Sequence, residues 1–207
     1  MTTLPKLYAI VDTLTLQRRE IDALRFTNAL LENGVRLLQY RHKGHFSRRI
    51  FAEAEAIAAL CRQAGAQYVI DDRGDIARAL HAGLHVGQDD LSPTDARRVI
   101  GNAMLGFSTH NASQLQAGDQ EPVDYLAVGP VFATGSKENP DPVLGIDALP
   151  QLRALTTKPL VAIGGITLRN AEAVFAAGLD SVAVISDLLP TEGDLSSRIR
   201  EWVRLTA

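Results

Sequence analysis

Two aspartate doublets, Asp71-Asp72 in "YVIDDRG" and Asp89-Asp90 in "HVGQDD", each close a short apolar run. Carboxylates gathered at the ends of neighbouring buried segments repel one another unless something positive intervenes, and a hard divalent cation is the simplest remedy. Magnesium suits such a site, because it takes one or two protein carboxylates and completes its shell with water and substrate phosphate oxygens. A second reading stays open for the first doublet: aspartate is a good helix N-cap, and Asp71 or Asp72 could cap "RGDIARALHA". Upstream, "LLQYRHKG" spaces Gln39, Arg41 and Lys43 two apart. In a strand, residues two apart share a face, so an amide and two cations converge for as long as the strand persists. The alternative is a solvated strand end with its charges splayed outward.

Later segments carry a different chemistry. "GFSTHN" supplies Ser108, Thr109 and His110, and "GPVFATGSK" supplies Thr134, Ser136 and Lys137 around Gly135. In "VAIGGI", Gly164 and Gly165 let backbone amides approach a ligand, and in "VAVISDLLP", Ser186 and Asp187 open a short helix. Hydroxyls, an ammonium and backbone donors form a phosphate-binding set. The chain therefore carries cations and a metal site early and neutral donors late, which suits two phosphorylated small molecules. No pair among the five histidines has the H-E-x-x-H spacing of a zinc site. His110 belongs with the chemistry, whereas His85 is expected to be hydrogen-bonded in the wall of the fold. Cys61 falls in step with Ile50, Ala54 and Ile57 and reads as a core thiol.

The elements that must position these residues follow from a repeated phrase. "ENG", "QAG", "HAG" and "AAG" each precede a strand-like run, so Gly34, Gly65, Gly83 and Gly178 read as left-handed helix caps, with Gly101 and Gly118 as two more. Between them lie helical periods such as "RRIFAEAEAIAALCRQ", with Ile50, Phe51, Ala54, Ile57, Ala58 and Cys61 on one face. Eight strand candidates alternate with helices, which demands parallel pairing and right-handed crossovers. The economical closure is a (β/α)8 TIM barrel, one catalytic domain over residues 1–207. A doubly wound open sheet is the alternative, but no G-x-G-x-x-G follows the first strand. In the barrel all of the residues above sit at strand ends, where the βα loops form the mouth.

Bulk composition agrees with an ordinary globule: 46% hydrophobic residues, 22% charged residues and a formal net charge of -3. That balance gives no reason to expect nucleic acid or an anionic membrane as partner. "MTTLPKLYAIVD" lacks the pattern of a secretion signal, and no run approaches ~18 uninterrupted apolar residues, so a cytoplasmic protein is expected. A single cysteine excludes an intrachain disulfide.

Taken in order, "QYRHK", "IDDR", "HVGQDD", "GFSTH", "GPVFATGSK", "AIGGI" and "VAVIS" resemble the thiamine phosphate synthase family, over essentially the whole chain. The resemblance implies condensation of hydroxymethylpyrimidine diphosphate with a thiazole ethyl phosphate, releasing pyrophosphate, through Mg-assisted dissociative ionisation of the pyrimidine. It implies that Gln39, Arg41, Lys43 and Lys137 hold the pyrimidine diphosphate and that Asp72 and Asp90 bind Mg2+. It further implies that Ser108 lies beside the reacting groups and that Thr134, Ser136, Gly164, Gly165, Ile185 and Ser186 receive the thiazole phosphate. Two positions depart from the family pattern: Asp71 stands where asparagine is usual, placing an acidic acceptor beside the diphosphate, and Ser136 stands where threonine is common. Two rival readings use the same pocket. One is a thiazole tautomerase with His110 as acid and base, and the other is a non-catalytic sensor of thiamine phosphates. A homodimer is compatible with the sequence.

Overall fold

The computed structural model describes residues 4–135, 141–190 and 194–207. Eight parallel strands, β1 (Leu7–Asp12), β2 (Leu37–Arg41), β3 (Gln67–Asp71), β4 (Gly83–Val86), β5 (Leu105–Thr109), β6 (Tyr125–Val128), β7 (Leu160–Ala162) and β8 (Ser181–Val184), hydrogen-bond in sequence order. The ring closes where Leu7 of β1 lies opposite Val182 of β8. This is the (β/α)8 barrel expected from the sequence, and the open-sheet alternative is set aside.

Helices cover the outside: α1 (Thr13–Arg18), α2 (Ala23–Glu32), α3 (Arg48–Gln63), α4 (Gly74–Leu80), α5 (Pro93–Ile100), α6 (Ala112–Asp119), α7 (Leu149–Arg153), α8 (Ala171–Ala176) and α9 (Leu195–Leu205). Their starts are encoded locally. Asp12, Asp22, Ser47, Ser92, Asn111 and Asp194 each accept a hydrogen bond from a backbone N–H in the first turn, satisfying a donor that the helix leaves unpaired. On α3, Ala54, Ile57, Ala58 and Cys61 are buried as the periodicity requires, and Ile50 and Phe51 pack at the margin of the core. Burial pushes the Cys61 thiol up to about 12, which makes it inert.

The glycine reading holds at Gly34, Gly65, Gly101 and Gly178, all with positive φ. It fails at two positions. After α4 the left-handed residue is His81, with φ 53°, and Gly83 already lies in β4. Gly118 is inside α6, where a side chain would press on Leu126 and Phe107, so close packing against the sheet is its reason.

Apolar side chains fill two layers. The larger lies between strands and helices and includes Phe26, Leu30, Ile57, Leu115 and Trp202; the smaller fills the barrel with Leu37, Val69, Tyr125 and Val161 among others. No helix among the described residues is long and apolar enough to cross a membrane. Trp202 of α9 is fully buried and donates from Nε1 to Asp187 Oδ2 at 3.0 Å; the same oxygen accepts the Leu168 N–H at 3.1 Å. This one indole thus ties the last helix to the loops after β7 and β8. Trp202→Ala is expected to destabilise the protein by about 3–5 kcal/mol in denaturant unfolding, with a matching loss of order in those two loops.

Candidate active site

The strand ends converge on one cavity of roughly 1250 Å³ at the C-terminal mouth of the barrel. Gln39, Arg41, Lys43, Asp71, Asp72, Asp90, Ser108, His110, Thr134, Gly164, Gly165, Ile185 and Ser186 all line it. Ser136 and Lys137 lie outside the described residues.

On the β1 to β4 side the charges form a connected cluster. Sheet register sets Asp12 opposite Arg41, and Arg41 Nη1 donates to Asp12 Oδ2 at 2.5 Å while its Nε lies 3.5 Å from Asp71 Oδ2. Lys43 lies beyond the end of β2, yet its ammonium reaches Asp71 Oδ2 at 2.9 Å and also pairs with Asp72. Asp72 in turn is within hydrogen-bonding reach of Asp90, whose Oδ2 also accepts the Gly87 N–H at 2.7 Å. Neither aspartate of the first doublet caps α4, whose N-cap is Arg73 with no side-chain bond. Asp72 instead adopts φ 60°, a left-handed conformation uncommon for a residue with a Cβ. Backbone bonds hold the turn, from Asp72 N to His85 O and from Arg73 N to Asp71 O. The local backbone therefore gives up the cap and aims the carboxylates at the cavity.

Electrostatics follow from this crowding. Burial raises the pKa of Asp71 despite Lys43 and Arg41, and Oδ2 of Asp71 is buried without a regular hydrogen bond although Lys43 Nζ is near. Partial burial and the neighbouring Asp72 raise Asp90. Burial works against the Lys43 ammonium, but Asp71 and Asp72 outweigh it and hold its pKa above the ordinary value. Four carboxylates, Asp12, Asp71, Asp72 and Asp90, face two cations, Arg41 and Lys43, a formal balance of −2 in the linked cluster. Two like charges ~4 Å apart cost about 4 kcal/mol at an effective dielectric of ~20. The exposed Lys43 pairing returns less than that, which leaves room for a dication. Hard oxygens on Asp72 and Asp90 are the right donors for Mg2+. Among the described residues no group of three or more His, Cys, Asp or Glu side chains forms a metal cage.

The opposite side combines close-packed backbone with Arg169, Asp187 and Arg198, and Arg198 lies 4.0 Å from Asp187. Gly164 and Gly165 have φ of 87° and 66°, and a Cβ on either would run into Pro130 or into Phe132 and Ala133. Packing of the loop after β7 on the loop after β6 thus demands both glycines and brings that backbone to the cavity wall. Ser186 opens a 3-10 turn, Ser186–Leu188, with Ile185 as its cap.

His110 Nδ1 lies 2.5 Å from the Gly129 carbonyl and its Nε2 lies 3.5 Å from Asp141. His85 is buried and bonded within the barrel as expected, with its pKa pulled down to about 4 by burial and by Lys43, but it also reaches the cavity through Ser108 Oγ at 2.8 Å. Sequence reasoning missed Asp12, although "LYAIVD" ends on it, and missed Tyr8 and Tyr125, inward residues that read as ordinary strand hydrophobes.

A parallel barrel with a linked cluster of cations and carboxylates opposite a glycine-rich wall that also carries Arg169 and Arg198 defines a phosphate-handling barrel enzyme. The sequence model of the thiamine monophosphate synthase family matches residues 7–188, and the chain belongs to that family. It is 52% identical over 191 residues to the thiamine-phosphate synthase of Koribacter versatilis, covering 90% of each chain. It is 44% identical over 184 residues to that of Laribacter hongkongensis, covering 88% of this chain and 86% of the relative. The solved thiamine phosphate pyrophosphorylase of Pyrococcus furiosus superposes with a TM-score of 0.86 at 29% identity, covering 98% of this chain and 95% of the other.

Asp71→Asn keeps the shape and removes the charge, so it is expected to raise Tm at neutral pH in magnesium-free buffer. The folded pKa of Asp71 lies above the unfolded value of ~3.9, so its contribution to stability is fully present below ~3.9 and is lost as pH rises through the folded value. The Tm advantage of D71N should accordingly narrow as the pH is lowered toward about 4. A variant less stable than the parent at neutral pH would show that the ion pairs outweigh the burial.

Proposed function

We propose that this cavity binds hydroxymethylpyrimidine diphosphate and a thiazole ethyl phosphate and joins them into thiamine phosphate, releasing pyrophosphate, with residues 1–207 as one catalytic domain. The chain is a transferase that condenses a pyrimidine with a thiazole moiety. The observation that supports the assignment of its two halves is the linked cluster of Arg41, Lys43 and carboxylates on one side, facing a glycine-rich wall with Arg169 and Arg198 on the other.

In this reading Gln39, Arg41, Lys43 and Lys137 hold the pyrimidine diphosphate. Asp72 and Asp90 hold Mg2+, which when bound offsets the negative charge that grows on the diphosphate. The bond from the pyrimidine methylene carbon to the diphosphate oxygen breaks, and its electron pair leaves with pyrophosphate. The ring nitrogen of the thiazole then supplies its lone pair to that carbon. This nitrogen has no proton to lose, so no general base is needed. Two histidines agree with that: His85 is neutral and hydrogen-bonded at both ring nitrogens, and His110 is held against the Gly129 carbonyl. Arg41 and Lys43 supply fixed charge where leaving-group charge develops, and Ser108 lies beside the reacting groups. Thr134, Ser136, Gly164, Gly165, Ile185 and Ser186 receive the thiazole phosphate.

The tautomerase and sensor readings gain no support from the relatives. A tautomerase would also have no diphosphate to place against Arg41 and Lys43. We place the enzyme in the cytoplasm, where phosphorylated substrates and magnesium are at hand, and a homodimer is compatible with this reading.

Pure protein incubated with both substrates is expected to form thiamine phosphate and pyrophosphate with magnesium and to form neither when magnesium is chelated. Asp72→Ala and Asp90→Ala should each lower magnesium-dependent turnover by about 10²–10³-fold. Ordinary turnover by either variant would defeat the metal assignment.

A further inference from the structure

A line of hydrogen bonds crosses the inside of the barrel beneath the cavity. Gln39 Nε2 donates to Tyr8 Oη at 3.0 Å, and Tyr8 Oη lies 3.0 Å from Tyr125 Oη. Tyr125 Oη lies 2.9 Å from His85 Nδ1, and His85 Nε2 lies 2.8 Å from Ser108 Oγ. The five residues come from β2, β1, β6, β4 and β5, and the first four are buried. Gly106 makes the crossing possible. It stands between His85 and Tyr125 in the sheet register, and a Cβ there would strike the Tyr125 ring and come within 2.5 Å of His85 Nδ1. Without one, the two rings stack with centroids 5.6 Å apart and planes at 24°.

Each hydroxyl has one proton to give, so the line has a direction. An amide N–H can only donate, so Tyr8 accepts from Gln39, and the polarity that gives each phenol proton an acceptor within the line has Tyr8 donate to Tyr125. Tyr125, having accepted, gives its proton to His85 Nδ1. A neutral imidazole that accepts at Nδ1 carries its proton on Nε2, and that N–H donates to Ser108 Oγ. Ser108 then accepts from below and keeps its own proton for the cavity.

We propose that this buried line fixes Ser108 as a hydrogen-bond donor to the departing diphosphate oxygen, with Gln39, Tyr8, Tyr125 and His85 as positioning residues. This role rests on the proposed condensation, in which Ser108 lies beside the reacting groups. When the carbon–oxygen bond breaks, the oxygen takes the electron pair, and a donor already aimed at it stabilises that charge without transferring a proton. The reverse polarity would turn Ser108 into a donor toward His85 and an acceptor toward substrate. That arrangement serves proton abstraction, which this condensation does not require.

Histidine-selective 15N labelling reads the direction in the parent protein, with the His85 signals assigned from their loss in His85→Asn. The expected result is a proton on Nε2 and none on Nδ1. Tyr125→Phe keeps the ring and its packing but removes the donor to Nδ1, and should lower kcat by about tenfold, equal to ~1.4 kcal/mol, with KM for both substrates nearly unchanged. In a Ser108→Ala background the same substitution should lower kcat no further, whereas a merely structural loss would add in both backgrounds. A proton on Nδ1, or additive losses with S108A itself crippled, would overturn the inference alone. Full turnover by S108A with the Nε2 proton in place would instead overturn the role of Ser108 in the condensation, and the inference with it.

Discussion

The arrangement depends on an excess of negative charge in the linked cluster on the β1 to β4 side of the barrel mouth. Asp12, Asp71, Asp72 and Asp90 are linked through only two cations, Arg41 and Lys43, and the pKa values of both Asp71 and Asp90 are raised, by burial first and by the neighbouring carboxylates after it. A diphosphate brought against that cluster would meet more carboxylates than cations. A divalent cation would resolve the conflict from both sides, since it would be attracted by the carboxylates and would in turn attract the diphosphate. The aspartate doublet Asp71-Asp72 is therefore divided in use. Asp72 faces Asp90, while Asp71 is the buried acceptor that collects Arg41 and Lys43.

The barrel makes this concentration of charge possible without making it the core. Strand interiors are packed with aliphatic and aromatic side chains, and the chain turns polar mainly where the strands end. Parallel pairing then brings Asp12 beside Arg41 and Asp71 beside His85 through register alone. Across the mouth, Gly164 and Gly165 close the wall with backbone, because any side chain there would strike the adjacent loop. One half of the cavity thus presents a linked cluster of charged side chains, and the other presents close-approaching main chain beside Arg169 and Arg198.

The fold was legible because its signal repeats along the chain: a helical period, a glycine at or near its end, then a short apolar run. The errors at Gly83 and Gly118 have a common origin, since glycine can serve packing as well as positive φ, and His81 takes the left-handed cap that Gly83 was expected to supply. The site residues on strand ends were legible for the same reason, as position along a strand fixes position in a barrel. Asp12 carries that same signal, at the end of the first strand, but a single carboxylate there stands out less than a doublet. The line from Gln39 to Ser108 left no trace in the sequence, because Tyr8 and Tyr125 lie 117 residues apart and each looks like an ordinary strand residue. Side-chain polarity across a barrel interior depends on which inward residues meet, and no local pattern encodes that.

Calorimetric titration of pyrophosphate into the protein, with magnesium and with magnesium chelated, bears most directly on the charge excess. If the cluster needs a dication before it can accept a diphosphate, affinity should be at least about a hundredfold higher with the metal, and pyrophosphate should tighten magnesium binding by the same factor. Equal affinity in the two conditions would mean that the cavity's own cations suffice, and that the surplus of carboxylates in the cluster does not govern what the mouth binds.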